Sequence, residues 1–145
     1  MKRFEELSDL LMKQMNTEGF WTGELSSSAL GVAVAVAALH FDDSEKNKTE
    51  ISSGLVWLKN NINSDGSFGD TPESPGNSST SLLVYAAVNL YSSEQKDLKE
   101  LQNKIANYLQ TQSIDINSNQ VSKVILDHYK KDYTFSVPIL TMSAL

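Results

Sequence analysis

The sequence contains no cysteine. Disulfide bonds, zinc sites built on thiolates and cysteine nucleophiles are therefore excluded together. Basic residues are also few: 12 lysines and arginines stand against 18 acidic residues, and no basic stripe is present to meet phosphates. This composition argues against nucleic-acid binding. His40 and His128 have no partner at metal-ligand spacing, so we expect no metal site, and no Gly-rich phosphate loop or Ser-His-Asp order predicts a cofactor or a catalytic triad.

Long hydrophobic runs are missing as well. The longest apolar segment, Ala29 to Phe41, has about 13 residues, which is too short to cross a bilayer. The N-terminus enters an acidic amphipathic pattern at once and has no apolar segment typical of a signal peptide. We therefore expect a cytoplasmic protein, with peripheral contact at a membrane face as an alternative.

The 145 residues predict a single domain, 1–145, or a piece of a larger one. A compact domain of this size buries roughly 70% of its unfolded surface, which is enough for a core. A hydrophobic content of 40% and a charged content of 21% are ordinary for such a domain.

Apolar periodicity predicts about seven helices and no sheet. Apolar helices, which we expect protein to surround, alternate with amphipathic ones that show one face to water. The apolar helices are predicted to begin after serine caps near Ser26 and Ser79 and again near Phe135, with Pro138 in the first turn of the last. The predicted helices span 4–15, 29–39, 44–61 and 82–91, then one that opens at Ser92 and carries apolar residues to Leu109, then 118–129 and 135 onward.

An internal repeat runs through this pattern. A Gly-aromatic loop precedes the second and fourth helices, at Gly19-Phe20-Trp21 and at Gly66-Ser67-Phe68. The serine-capped helices that follow recur at a period of about 53 residues, and the segment at Phe135 follows at a similar interval. Such alternation predicts inner and outer helices of a curved repeat structure.

The most distinctive motif joins the third helix to the fourth. It consists of Gly54, Trp57 and Leu58 on an amphipathic helix, followed by an Asn-Ser-Asp-Gly turn that ends on an aromatic residue; its later members are Asp65, Gly66 and Phe68. Glycine permits the tight turn, and the aromatic ring packs across the helix end. We interpret the motif as structural.

This motif resembles the repeat of the terpene cyclase and prenyltransferase α/α-barrel family, with Ile62 in the place of Gln and Phe68 in the place of Trp. Three blocks, 20–29, 65–71 and 133–145, are similar in order to the N-terminal portion of squalene-hopene cyclase-like proteins. The resemblance implies an all-α fold in which helical hairpins form part of an α/α toroid. Because cysteine is absent, the chain does not look like a protein prenyltransferase or a thioester-containing domain.

The resemblance also implies an Asp-x-Asp-Asp motif that protonates a polyprene, and this motif is absent. The nearest approach is Asp42-Asp43-Ser44-Glu45, in a polar turn between helices. Cyclisation needs a strong acid that is held protonated in a dry cavity, and a solvated turn does not provide one. We therefore predict no catalytic residue here and no cyclisation by this chain alone.

Aromatic residues are the candidates for a substrate cavity. Phe20, Trp21, Tyr85 and Phe135, with Tyr91, would stabilise carbocations by cation–π contacts if they lined one, and ordinary core packing is the alternative. Glu24 is interpreted either as a buried acid or as a carboxylate favoured at a helix N-terminus.

The resemblance implies a polyprenyl or triterpene substrate once a downstream domain completes the cavity. One alternative is a non-catalytic α/α repeat module that binds a partner protein. Another is a carbohydrate-active α/α-barrel enzyme, with Glu24 and Asp70 as the paired carboxylates. Because the segment 137–140 is apolar and ends the given sequence, we also predict self-association.

Overall fold

The structure, a computed structural model, describes residues 2–22, 26–93, 95–116 and 121–144. These residues form seven α-helices and no strand, which confirms the all-α prediction. The helices are α1 (Lys2–Lys13), α2 (Ala29–Asp43), α3 (Lys48–Asn60), α4 (Ser78–Asn89), α5 (Lys96–Thr111), α6 (Val121–Tyr129) and α7 (Tyr133–Ser143).

Side-chain caps decide where three of these helices begin. Ser28 accepts a hydrogen bond from the Gly31 amide at the start of α2, as the sequence predicts. Asn77, not a serine, caps α4. Asp132 caps α7 through the Thr134 amide, so α7 begins before Phe135. The prediction that Pro138 lies in the first turn is therefore wrong, because it occupies the second.

The helices pack in two layers. The apolar helices lie in a row, since α2 contacts α4 and α4 contacts α7. The amphipathic helices α3 and α5 contact each other and cover α2 and α4 respectively, while α6 packs on α7. We call α2, α4 and α7 the inner row, and α3 and α5 the outer row.

The core lies between the rows. The outer helix α5 turns its apolar face inward, and its buried residues include Leu98, Leu101, Ile105 and Leu109. On α3, Gly54 permits a close approach to α2, because a Cβ built there would lie 2.7 Å from a methyl carbon of Val36. Each fully buried aliphatic side chain of this kind stabilises the fold by about 1.5–3 kcal/mol.

The prediction that protein surrounds the second helix is wrong within the described residues. One face of α2 is buried, with Ala33 and Val36 at its centre. The opposite face is open to solvent and comprises Gly31, Val34, Ala35 and Ala38. The cause is simple: α3 and α4 cover two sides of α2, and no other described helix packs extensively against the remaining side.

Helix α1 is the exception to the packing. All side chains from Arg3 to Gln14 are exposed, including Phe4 and Leu7. No helix in the described part of the chain combines the length and the apolar character needed to cross a bilayer.

Candidate functional site

The turn at 63–68 has a tightly specified backbone. The Asn63 amide donates to the Ser67 carbonyl, and the Gly66 amide donates to the Asn63 carbonyl, both at 3.0 Å. Gly66 has a φ of 86°, in the left-handed region that favours glycine. A Cβ at Gly66 would lie 2.7 Å from the carbonyl oxygen of Lys104, so the turn also rests directly on α5.

The motif around this turn forms part of the core. Leu58 and Phe68 are 0% and 1% exposed, and Trp57 packs against the same cluster while half-buried. The Phe68 ring is thus enclosed at the place where the end of α3 passes to the beginning of α4. The structure brings the six motif residues into one stretch of helix, turn and core.

Four consecutive hydroxyl residues, Ser78 to Ser81, form the first turn of α4, and three of them connect it to neighbours. Ser79 accepts a hydrogen bond from Tyr129 on α6 at 2.6 Å. The remaining two reach the preceding loop: Thr80 donates to Asp70 at 3.1 Å, and Ser81 accepts from the Phe68 amide at 3.0 Å. We call these four residues the hydroxyl cluster.

The sequence interpretation missed this role. It assigned Ser78–Ser81 to capping, but Asn77 already supplies the cap. The signal was present, because one hydroxyl is sufficient to cap a helix and four in succession leave three unexplained. The partners, however, are distant in sequence and only the fold identifies them.

The loop between turn and helix is held by the same contacts. Asp70 accepts hydrogen bonds from Asn77 at 2.9 Å and from Thr80. Asp70 therefore helps to hold the start of α4. The carbohydrate alternative requires the same residue as an acid or base. Glu24, the other carboxylate of that alternative, lies outside the described residues.

An equivalent turn follows α1. The Asn16 amide donates to the Phe20 carbonyl at 2.9 Å, the Gly19 amide donates to the Asn16 carbonyl at 3.1 Å, and Gly19 has a φ of 86°. Gly19 and Gly66 are 47 positions apart. The two turns share the order Asn-x-acidic-Gly-x-aromatic, which the sequence interpretation recognised only from the glycine onward.

The surroundings of the first turn are different. Nothing lies within 4 Å of a Cβ built at Gly19, and Phe20 and Trp21 remain 49% and 46% exposed. The Trp21 indole N–H donates to the Leu11 carbonyl at 2.7 Å, which folds the ring back onto the end of α1.

Among the described side chains, the candidate cavity residues make no ring contact with one another. Tyr85 packs against the core and is half-buried. Burial raises the pKa of Tyr85, because it removes water from the phenolate. Ring contacts in the described residues join His40 to Phe41 and Tyr91, and none joins Tyr85 to Phe20 or Trp21. Phe135 lies on α7, and its side chain is outside the described part of the structure.

Two carboxyl groups, those of Asp65 and Asp97, have a pKa below the ordinary value. Hydrogen bonds from the Ser67 hydroxyl and amide lower the pKa of Asp65, and a hydrogen bond from Lys59 lowers the pKa of Asp97. Asp42 and Asp43 are exposed and accept from Asn47 and from the Lys46 amide at the entry to α3. A proton donor for cyclisation requires a carboxyl whose acid form is favoured, and the two shifts seen here go in the opposite direction.

An open groove of about 370 Å³ lies between the second turn and α5. Its lining combines Ile62 with the polar side chains of Asn63, Asp65, Lys104 and Asn107. His40 is hydrogen-bonded through Nδ1 to the Tyr91 hydroxyl at 2.6 Å. Within the described residues, no three His, Cys, Asp or Glu side chains converge to hold a metal ion, and the His128 side chain lies outside them.

A protein-family model matches most of this helical chain. The model described as squalene-hopene cyclase N-terminal domain matches residues 4–117. The chain belongs to this family. No curated protein and no solved structure matches it. The squalene-hopene cyclase N-terminal domain match includes both turns and the hydroxyl cluster, so the repeated turn and the helices α2 to α5 belong to a cyclase-like α-helical domain.

Proposed function

We propose that this chain is a scaffold of a squalene-hopene cyclase-like protein, in which the open side of the inner row forms part of the wall of a polyprenoid chamber. The observation that carries the proposal is the open face of α2 in a chain of this family. A wall for a polyprene must be apolar, and Gly31, Val34, Ala35 and Ala38 present no charge.

The same proposal assigns no proton transfer to this chain. A downstream domain supplies the acid and closes the chamber, because a carbocation survives only where water is excluded. The described carboxylates with shifted pKa values, Asp65 and Asp97, are stabilised as anions. The aromatic residues Phe20, Trp21, Tyr85 and Phe135 stay predicted members of the wall.

Photolabelling tests the wall. The purified chain is irradiated with a diazirine analogue of squalene in detergent, and the labelled peptides are identified by mass spectrometry. We expect labels on inner-row peptides and competition by unlabelled squalene. Val34→Asp should reduce labelling several-fold, because it introduces a charge into the wall. The matched control is Val56→Asp, since Val34 and Val56 are both exposed valines, at 40% and 54%, and Val56 lies on the outer helix α3. Equal labelling of both rows, or an equal effect of the two substitutions, would contradict the proposal.

Product analysis tests the absence of acid chemistry. We expect no cyclised lipid above a no-protein blank when the chain is incubated with squalene and the extract is examined by gas chromatography. Product that disappears on replacing Asp42 and Asp43 with Asn would make the exposed turn the acid and overturn the scaffold assignment.

A further inference from the structure

The pair Asp65-Gly66 has a reactivity that the proposed function does not use. Of the seven glycines in the chain, Gly66 alone follows an aspartate or an asparagine. An aspartate before glycine can lose water to its own backbone, because glycine has no side chain to shield the attacking amide nitrogen. The Asp65 side chain is exposed, whereas Gly66 is buried. Water therefore has access to the carboxyl group, while the peptide group that follows it belongs to the packed turn.

The reaction is an intramolecular condensation. The Gly66 nitrogen attacks Cγ of the protonated Asp65 carboxyl, a C–N bond forms, the C–OH bond breaks, and the hydroxyl leaves with the amide proton as water. Water then reopens the cyclic imide. Opening at Cγ regenerates aspartate, whereas opening at the main-chain carbonyl leaves isoaspartate, in which the main chain runs through Cγ. Apart from water, no co-reactant is needed.

Three hydrogen bonds oppose this reaction in the folded turn. The Gly66 amide donates to the Asn63 carbonyl at 3.0 Å, which fixes the attacking nitrogen. The Ser67 amide, at 3.0 Å, and the Ser67 hydroxyl both donate to Oδ1 of Asp65 and hold the carboxyl group towards residue 67. These two bonds lower the pKa of Asp65 because they favour the anion, and the anion has no hydroxyl that can leave.

The groups that face Asp65 from α5 do not favour its acid form. Lys104 lines the same groove as Asp65 and carries a positive charge, which favours the carboxylate anion. Tyr108 is close enough to feel that anion, since burial first and the Asp65 charge second raise the pKa of Tyr108. The packed helix therefore acts in the same direction as the Ser67 hydrogen bonds.

The first turn has the same backbone without the reactive pair. Gly19 also has a φ of 86°, but the residue before it is Glu18. A glutamate would have to close a larger ring with the following nitrogen, and that ring forms much more slowly. The turn geometry is therefore compatible with either acid, and Asp65→Glu is a control that the chain itself supplies.

We propose that Asp65-Gly66 is a site of aspartate isomerisation that Ser67 restrains, and that conversion to isoaspartate opens the second turn. An isoaspartate lengthens the main chain by one carbon immediately before Gly66. Gly66 then cannot keep both its hydrogen bond to Asn63 and its place against α5, where a Cβ would lie only 2.7 Å from the Lys104 carbonyl oxygen. The reaction does not involve a polyprenoid, so the proposal stands or falls separately from the proposed function.

Ageing of the purified 145-residue chain at mildly acidic pH tests the site. Isoaspartate is quantified with a methyltransferase specific for it, and is located with a protease that cleaves before aspartate but not before isoaspartate. We expect slow conversion at residue 65 in the folded chain and conversion at least several-fold faster in urea and in Ser67→Ala. Asp65→Glu should give none. No isoaspartate at residue 65 in urea, or an unchanged rate in Ser67→Ala, would overturn the proposal.

Val88→Ala distinguishes the role of Ser67 from general stability. Val88 is fully buried on α4, so its truncation weakens the core and leaves the hydrogen bonds of the turn in place. We expect this variant to isomerise at nearly the rate of the unmodified chain. An acceleration equal to that of Ser67→Ala would mean that overall folding, and not Ser67, restrains the site.

Hydrogen exchange tests the opening of the turn. The isoaspartate form is separated from the unmodified chain by chromatography, and the exchange rates of single amides are compared. The Phe68 amide, which donates to Ser81, should exchange at least several-fold faster in the isoaspartate form. The amide of Val36, in the middle of α2, should be unchanged. Full protection of the Phe68 amide would show that the turn accommodates the longer main chain, and its opening would then be wrong.

Discussion

The turns at 16–21 and 63–68 have the same backbone and opposite surroundings. In both, the amide of an asparagine closes on a carbonyl four residues later, and a glycine with a φ of 86° follows. Phe68 at the end of the second turn is 1% exposed, and Trp21 at the end of the first is 46% exposed. Local sequence therefore determines the shape of the turn, while burial is decided by what lies next to it.

The difference can be traced to particular residues. In the second repeat, the hydroxyl cluster of α4 binds the turn through Ser81 and the loop through Thr80. The first four residues of α2 are Ala29, Leu30, Gly31 and Val32, which offer no hydroxyl. The Lys104 carbonyl of α5 lies against the place that a Cβ at Gly66 would occupy. No atom lies that close to a Cβ built at Gly19. The buried turn is the one that has both side-chain hydrogen bonds from the next helix and a further helix packed against its glycine.

The largest expected effect comes from removing the two aromatic side chains. Phe68→Ala should lower the free energy of unfolding by about 3–5 kcal/mol, because it leaves a cavity in the core. Trp21→Ala should cost less than about 1 kcal/mol, since half of the ring is already in water. Urea unfolding followed by circular dichroism measures both values, and similar losses would end the distinction between the turns.

Replacing each of the two glycines with alanine distinguishes the cost of backbone strain from the cost of a steric clash. Gly19→Ala should cost about 1 kcal/mol, because alanine must adopt a left-handed conformation. Gly66→Ala carries the same strain and in addition brings a Cβ to 2.7 Å from the Lys104 carbonyl, so we expect a loss of about 3 kcal/mol. The comparison uses the same denaturation experiment. Equal losses would mean that α5 yields readily and does not support the turn.

Removing the hydrogen bond between the Phe68 amide and Ser81 should have a smaller effect on the free energy of unfolding. Ser81→Ala removes the acceptor of the buried Phe68 amide and should cost about 1–2 kcal/mol. Ser52→Ala, on the exposed surface of α3, is the control and should change stability by less than about 0.5 kcal/mol. Hydrogen exchange of the Phe68 amide provides a second measurement, and it should accelerate in the Ser81 variant alone. Unchanged protection would show that the hydroxyl is dispensable.

The smallest effect concerns pH. The pKa of Asp65 is below its ordinary value of 3.8 because the Ser67 hydroxyl and amide donate to the carboxylate. Its stabilising contribution is therefore fully present above pH 3.8 and is lost as the pH falls through the folded-state pKa. Phe20 occupies the position of Ser67 in the first turn and has no hydroxyl to donate.

A carbon-detected NMR titration of the Asp65 carboxyl tests this point. In Ser67→Ala the pKa should rise towards 3.8, because the larger of the two hydrogen bonds is lost. Asp65→Asn should remove the small decline in stability below that pH. An unaltered titration in the Ser67 variant would assign the shift to the backbone amide alone.

Much of the fold follows from periodicity. The spacing of Leu98, Leu101, Ile105 and Leu109 predicts an amphipathic α5, and these residues are buried together. Two features were harder to predict: the cap of α4, because Asn77 precedes four other residues capable of capping, and the start of α7, because Asp132 stands two residues before Thr134. Helix ends depend on single hydrogen bonds, whereas helix interiors depend on repeated patterns.

The candidate site was less predictable than the fold. Aromatic composition predicts that Tyr85 lines a cavity, and this stays a prediction, while the ring packs against the buried core. The apolar character of α2 suggested that protein surrounds it, and composition carries no information about which neighbours are present. Contacts between residues distant in sequence, such as Ser79 with Tyr129, have no local signature.

The sequence by itself determined the helices, the two Asn-x-acidic-Gly turns and the family, because these depend on neighbouring residues and on the order of motifs. Only the tertiary structure decided which turn is buried, which neighbours the hydroxyl cluster binds and which face of α2 stays open. The physical reason is that burial and polar satisfaction are properties of packed surfaces. A surface acquires them from its neighbours in space, and two nearly identical turns can therefore have different environments.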